Sequence, residues 1–353
     1  MTTYLNITLT GDKNYVYPLG VVMTSIIQNL SNKYVARFFL FVSDFTAKER
    51  EELEKIKQIK TCEIIFFDME EYVKLFDKID VNTFKLKYIS LATYYRLLML
   101  KILPEDVDKC FYIDGDMIVD TDLSIAYEQM NSSQLASVVI EVLAMSNKNV
   151  TLCHLNDMTD FYAFKKSPYD APYFNAGFFL LNIKKAKQLR LFEAAFDFLA
   201  RYPNPPYADQ DTLNAIIGQK YAKDITYLSP AYNVFCDIDY SSNLQLPNYS
   251  KEELEESFKN PKIYHYAGAN KPWINNDVKH FYDVWWKYAK LSPWYQILKT
   301  RIPKTDKHET EYKLFGFLPL LSITKKRKKS GEIVIKLNVL KILPLCKIKY
   351  CER

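Results

Sequence analysis

"CFYIDGDMIV", residues 110–119, drives an apolar run into two aspartates with one glycine between them, then turns apolar again. The Asp-x-Asp spacing alone decides little. Asp106/Asp108, Asp120/Asp122, Asp209/Asp211 and Asp237/Asp239 share it. Context separates Asp114 and Asp116 from the others: they directly follow a short apolar run that reads as a buried strand. Asp106/Asp108 precedes that strand, Asp120/Asp122 follows in polar connecting chain, and Asp237/Asp239 sits in irregular sequence.

Working toward the N-terminus, Tyr4–Thr10 is rich in β-formers and reads as a first strand. A helical pattern fills Pro18–Leu30, and "ARFFLFVS" at 36–43 is a second, fully apolar strand. Thr46 with Glu49 three residues on has the form of a capping box opening a charged helix. "CEIIFF" at 62–67 is a third strand, and "ISLATYYRLLMLKIL" at 89–103 a helix stopped by Pro104. Toward the C-terminus, "PYFNAGFFLLNI" at 172–183 resumes strand character. An amphipathic helix follows it, and "ADQDTLNAII" at 208–217 opens another with acids in its first turn. "KIYHYAGANKPW" at 262–273 is a short strand running into a loop. Strands alternating with helices predict an α/β chain with a mostly parallel, doubly wound sheet. In such sheets ligands sit beyond the carboxyl ends of the strands, which is where Asp114 and Asp116 fall.

The composition agrees with a globular core and narrows the chemistry. The chain has 353 residues, 48% hydrophobic and 25% charged, with only 8 Gly. Neither a G-x-G-x-x-G nor a P-loop sequence occurs. Six scattered cysteines without a Cys-x-x-Cys give no zinc or thioredoxin-type motif. With no secretory leader and no 18-residue apolar run in view, the expectation is a cytoplasmic protein with reduced thiols. The net charge of +5 is uneven, with "TKKRKK" at 324–329 and further lysines near the C-terminus. No nucleic-acid-binding motif accompanies that charge, so no nucleic-acid partner is expected. The strand-and-helix pattern decays beyond about residue 290, so one folded domain over 1–290 and a basic, partly apolar region over 291–353 are expected.

In extended chain, residues two apart point the same way, so Asp114 and Asp116 can converge on one hard cation, Mn2+ or Mg2+. His265 can add an imidazole to such a site, and Lys271, six residues on, can meet phosphate as a point charge. Asn175, inside an apolar run, needs partners if buried.

Together these segments resemble glycosyltransferase family 8, the retaining galactosyl- and glucosyltransferases of bacterial lipopolysaccharide synthesis and their glycogenin-like relatives. "TGDKNY", "ISLATYYRL", "YIDGDMIV", "YFNAGFFLLNI", "ADQDTLN" and "HYAGANKPW" keep the family's order over roughly residues 4–290. The resemblance implies a GT-A type nucleotide-sugar-binding fold and a UDP-sugar donor, UDP-galactose or UDP-glucose. It implies that Thr10, Asp12, Asn14 and Tyr15 hold the uridine and that Arg96 contacts the donor. Asp114, Asp116 and His265 would bind Mn2+. Gly115 is the small residue common between the two aspartates. Gly268 would let backbone approach the diphosphate and Lys271 would compensate its charge, while Asn175, Asp209 and Gln210 would line the donor sugar.

Two departures stand out. Tyr88 replaces a histidine of the lipopolysaccharide galactosyltransferases, and Glu141 stands where they carry an aspartate. A longer segment, about 142–171, follows Glu141 and is expected near the acceptor. Retention without a strong nucleophile at Gln210 fits same-face displacement; Asp211 and Glu141 are the candidate carboxylates for a covalent intermediate. Self-glucosylation of a tyrosine, glycosylation of a protein acceptor, and a nucleotide-sugar-binding scaffold without turnover are the alternatives. The basic tail, by the same resemblance, implies a lipid-linked saccharide acceptor and peripheral attachment to the inner face of the cytoplasmic membrane.

Overall fold

"YLNITLTGD" forms β1 (Tyr4–Asp12), in which Leu5, Ile7 and Leu9 are fully buried. β2 (Val35–Ser43) and β3 (Cys62–Asp68) continue the sheet on one side. Phe38 to Val42 are all buried, as expected of a strand covered on both faces. The computed structural model describes residues 2–76, 91–142, 172–202, 205, 207–238, 249–275, 278–301, 312–313, 321–327, 332–339 and 343–351.

The helix after β1 spans Val16–Asn29 with Pro18 in its first turn, where a missing N–H costs nothing. Thr46 and Glu49 form the expected capping box on the helix Ala47–Glu54. The helix expected over 89–103 is tighter than read: within the described residues a 3-10 stretch over Leu91–Leu98 passes into α-helix at Met99–Ile102.

On the other side of β1 lie β4 (Lys109–Ile113), β6 (Ala136–Ile140), β7 (Phe174–Asn182) and β8 (Ile225–Tyr227). The seven-stranded order is β3-β2-β1-β4-β7-β6-β8. Only β7 runs against the rest, antiparallel to both β4 and β6. The reversal brings the first residues of β7 to the end of the sheet where β1, β4 and β6 finish. A second sheet of β5 (Met117–Val119), β9 (Val234–Phe235) and β10 (Ile263–His265) has β10 in its centre.

The amphipathic helix expected after β7 is two, Ile183–Gln188 and Leu191–Arg201, broken at Arg190 with φ of 54°. One core cluster joins Phe39 and Phe41 of β2 to Tyr94, Leu97 and Leu98 and to Phe179 and Leu181 of β7.

The chain divides into two compact units, Met1–Lys299 and Thr300–Arg353. The division falls beyond residue 290 because Trp294 and Leu298 are buried. The second unit carries an antiparallel sheet in the order β11 (Tyr312–Lys313), β12 (Leu321–Arg327), β13 (Glu332–Val339), β14 (Leu343–Cys351). Its sequence shows no clean strand alternation. Pro344, which limits a helix, is tolerated because β14 is an edge strand and the register shifts beside Asn338. Among the described residues, no helix is long and apolar enough to cross a membrane.

Candidate active site

A cleft of about 850 Å³ opens beyond the ends of β1, β4 and β6. Thr10, Asp12, Asn14, Tyr15, Arg96, Asp114, Gly115, Asp116, Glu141, Asn175, Asp209, Gln210, His265, Gly268 and Lys271 all line it. These are the residues singled out from the sequence, with one exception. Asp211 is fully buried outside the lining: its Oδ1 accepts from the Tyr173 hydroxyl at 2.6 Å and its Oδ2 from the Tyr207 N–H at 2.7 Å. Tyr88 and residues 143–171 lie outside the described residues.

The two cleft aspartates converge by a route other than extended chain. Asp114 ends β4, with its N–H on the Gly177 carbonyl at 2.8 Å, and a turn closed by Met117 N–H to Asp114 O leads into β5. The turn passes the chain from the large sheet to the small one. β10 pairs antiparallel with β5, His265 opposite Met117, which sets the imidazole beside the acids. His265 Nε2 lies 3.4 Å from Asp116 Oδ1 and 3.9 Å from Asp114 Oδ2. One ligand atom from each of the three residues falls within 4.8 Å of the others.

This cluster fits a divalent cation on three counts. Two carboxylates and an imidazole suit Mn2+ or Mg2+. Asp116 Oδ1 is buried and has no hydrogen-bond donor among the described residues. Gly177 keeps the space open: a Cβ there would stand 2.7 Å from Asp114 Oδ2 and 2.9 Å from His265 Cε1.

Charge around the cluster is arranged asymmetrically. Burial alone would raise the Asp116 pKa, but the Lys271 ammonium beside it holds it below the usual carboxylate range. Lys271 Nζ donates to Asp116 Oδ2 at 2.5 Å and to the Tyr266 carbonyl at 2.6 Å. Asp114 instead meets the buried Arg96 at 3.1 Å and accepts the Tyr112 hydroxyl at 2.8 Å. Arg96 also pairs with Asp209 at 2.8 Å. Burial nevertheless pushes Asp209 up to about 7 and Asp211 to about 6.

At the β1 end, Asp12 Oδ1 accepts the Asn14 N–H at 2.8 Å, and Tyr15 packs edge-on against Trp273. Gly268 adopts φ of 86°, a conformation only glycine takes freely. At the β7 end, Gln210 Oε1 accepts from the Ala176 N–H at 2.9 Å and from Asn175 Nδ2 at 3.1 Å. Glu141 Oε2 accepts from Asn175 Nδ2 and Gln210 Nε2.

Four contributors carried no reading in the sequence: Tyr112, Gly177, Asn233 and Trp273. Tyr112, Gly177 and Trp273 sat inside quoted motifs, whereas Asn233 lay in none.

A mostly parallel sheet that delivers an Asp-Asp-His cluster and a lysine to one cleft is the arrangement of a GT-A glycosyltransferase. The chain belongs to glycosyl transferase family 8, whose profile matches residues 6–277. It is 23% identical over 298 residues to the general stress protein A of Bacillus subtilis, covering 83% of this chain and 96% of that protein. It is 25% identical over 327 residues to the lipopolysaccharide 1,2-glucosyltransferase of Escherichia coli K12, covering 88% and 83%. The galactosyltransferase LgtC, solved with donor and acceptor sugar analogues, aligns with a TM-score of 0.64 at 19% identity, over 83% of this chain and 99% of LgtC.

Proposed function

We propose that this protein transfers a hexose, galactose or glucose, from a UDP-sugar to a saccharide acceptor of a surface glycan, with a divalent cation and with retention of configuration. One observation carries the reading: Asp114, Asp116 and His265 converge beside Lys271 in a cleft that also holds Asp12 and Tyr15. Relatives named as glucosyl- and galactosyltransferases support the hexose.

Asp114, Asp116 and His265 would hold Mn2+ or Mg2+, which supplies Lewis-acid neutralisation of a departing diphosphate. The protein's own groups do the rest. Asp12 keeps Oδ2 available to accept the N3–H of uracil, since its Oδ1 is engaged by Asn14. Tyr15, braced by Trp273, offers a ring for the base. Lys271 stands as a fixed positive charge for the leaving group, a preorganised electrostatic contribution. Gln210 Oε1 already accepts two hydrogen bonds, and Asp211 faces away from the cleft. Both facts favour same-face displacement over a covalent intermediate.

Incubating the protein with Mn2+ and a panel of nucleotide sugars tests this. UDP should be released from UDP-galactose or UDP-glucose, and UDP should compete where CDP does not. Turnover of a CDP-sugar in preference to both would overturn the donor assignment.

The second unit supports a further part of the reading, a lipid-linked acceptor reached from the inner face of the cytoplasmic membrane. In its sheet, Lys336 pairs with Lys347, and Lys326 and Lys349 share a row two residues along, so lysines recur on alternate positions. Each lysine near an anionic surface contributes about 1 kcal/mol. The full chain should bind anionic vesicles at low salt and release them at high salt; indifference to such vesicles would remove the membrane from the reading.

A further inference from the structure

Glu141 and His265 stand at opposite ends of an unbroken line of buried side-chain hydrogen bonds. Asn175 Nδ2 donates to Glu141 Oε2 at 2.5 Å. Asn233 Nδ2 donates to Asn175 Oδ1 at 2.7 Å. Asn233 Oδ1 lies 2.9 Å from His265 Nδ1. All four residues are buried, Asn233 to 1% exposure.

The direction of this line is fixed by groups that have no choice. A carboxylate only accepts, so Asn175 must turn its amide nitrogen to Glu141. A backbone N–H only donates, and that of Gly177 points at Asn175 Oδ1 at 2.9 Å, which fixes the same orientation independently. Asn175 Oδ1 therefore receives Asn233 through its nitrogen. That leaves Asn233 Oδ1, an acceptor, facing His265. In the neutral ring the imidazole then carries its proton on Nδ1, and the lone pair of Nε2 is left toward Asp114 and Asp116. Phe235, stacked on the ring at 4.9 Å between centroids, holds its plane.

We infer that Asn233 is a positioning residue that selects the Nδ1–H tautomer of His265, with its polarity set by Glu141 and the Gly177 amide through Asn175. The line also joins the sugar end of the cleft to the cation end, since Asn175 and Glu141 both contact Gln210. The inference rests on the reading of Asp114, Asp116 and His265 as a cation site only for its consequence. The tautomer itself is a property of the metal-free protein.

The experiment is 15N NMR of histidine-labelled, metal-free protein at a pH where the imidazole is neutral. The His265 signal is assigned by its loss in His265→Gln. The wild type should show a protonated Nδ1 and a bare Nε2; a proton on Nε2 would overturn the inference without any Asn233 variant. Mn2+ titration followed by EPR of free Mn2+ gives the second readout. Asn233→Leu keeps the volume but removes the acceptor. It should mix the tautomers and weaken Mn2+ binding by about 10- to 100-fold, the usual cost of losing such a partner. Asn233→Asp still accepts from Nδ1–H and should keep the wild-type tautomer. If the Leu and Asp proteins, both folded by circular dichroism, gave the same spectrum and the same Mn2+ affinity, Asn233 would be a packing residue. A wild type with Nδ1–H but no Mn2+ binding would leave this inference standing and remove the cation site instead.

Discussion

Of the Asp-x-Asp pairs that reach the cleft, two have both members among the described residues. Asp114 and Asp116 leave β4 through a turn and both line it. Asp209 and Asp211 lie in the first turn of the helix Ala208–Leu213, and only Asp209 does. On a helix, residues two apart are rotated by about 200°, so one acid faces inward and the other away. The environments diverge as well. Asp116 has the Lys271 ammonium beside it and stays ionised. Asp209 and Asp211 are deeply buried, and their pKa values rise to about 7 and about 6. Identical spacing thus gives two acids turned to the cleft in one place. In the other it gives one acid paired with an arginine and one acid bracing a helix end.

The sharpest way to break this comparison is Asp116→Ala. It should lower transfer by roughly a thousandfold, since cation-based stabilisation of a leaving group is worth several kcal/mol. The variant should stay folded by circular dichroism; metal-independent transfer at wild-type rate would dissolve the contrast. Next comes Gly177→Ala. Its methyl would press on Asp114 and His265, and Mn2+ affinity should fall on the order of 100-fold by EPR titration. Unchanged affinity would mean the cluster has room that the geometry denies.

Asp209→Asn should cost on the order of tenfold in activity by loosening Arg96. Its clearer mark is in stability. Asp209 titrates at about 7 in the fold against an ordinary 3.8, so the native state binds the extra proton between those values. That contribution is full below about pH 4 and is lost as pH rises through about 7. In urea unfolding, the wild type should therefore lose ground to Asp209→Asn over this window; a flat difference would refute the raised pKa. The smallest effect on activity belongs to Asp211→Asn, within about threefold. It should cost about 1–3 kcal/mol of stability through the Tyr173 and Tyr207 bonds. Abolished transfer in a folded Asp211→Asn protein would restore it as a nucleophile.

The large sheet and the cation cluster were legible because each depends on a local pattern: an apolar run, then an acid or a histidine at its end. Asp211 misled because neighbours in sequence are not neighbours on a helix. Asn233 was invisible for the opposite reason. Its partners Asn175 and His265 are 58 and 32 residues away, and nothing in "AYNVF" marks it as polar by need. The break at Arg190 left no turn signal such as glycine in "KQLRLF". The strands of the second unit were hidden by lysines and a proline that an edge sheet tolerates.

The reversed strand β7 has a modular consequence. Because it begins where β6 ends, Glu141 and Tyr173, far apart in sequence, stand side by side, the Glu141 N–H on the Tyr173 carbonyl at 2.9 Å. Both residues stand at the cleft, beside Asn175 and Gln210. Register here is set by the pairing of β7 with β4 and β6, so a change in the length of chain between Glu141 and Tyr173 leaves the register of those strands as it is. The frame of the cleft is thereby uncoupled from the length of chain that separates those two residues in sequence.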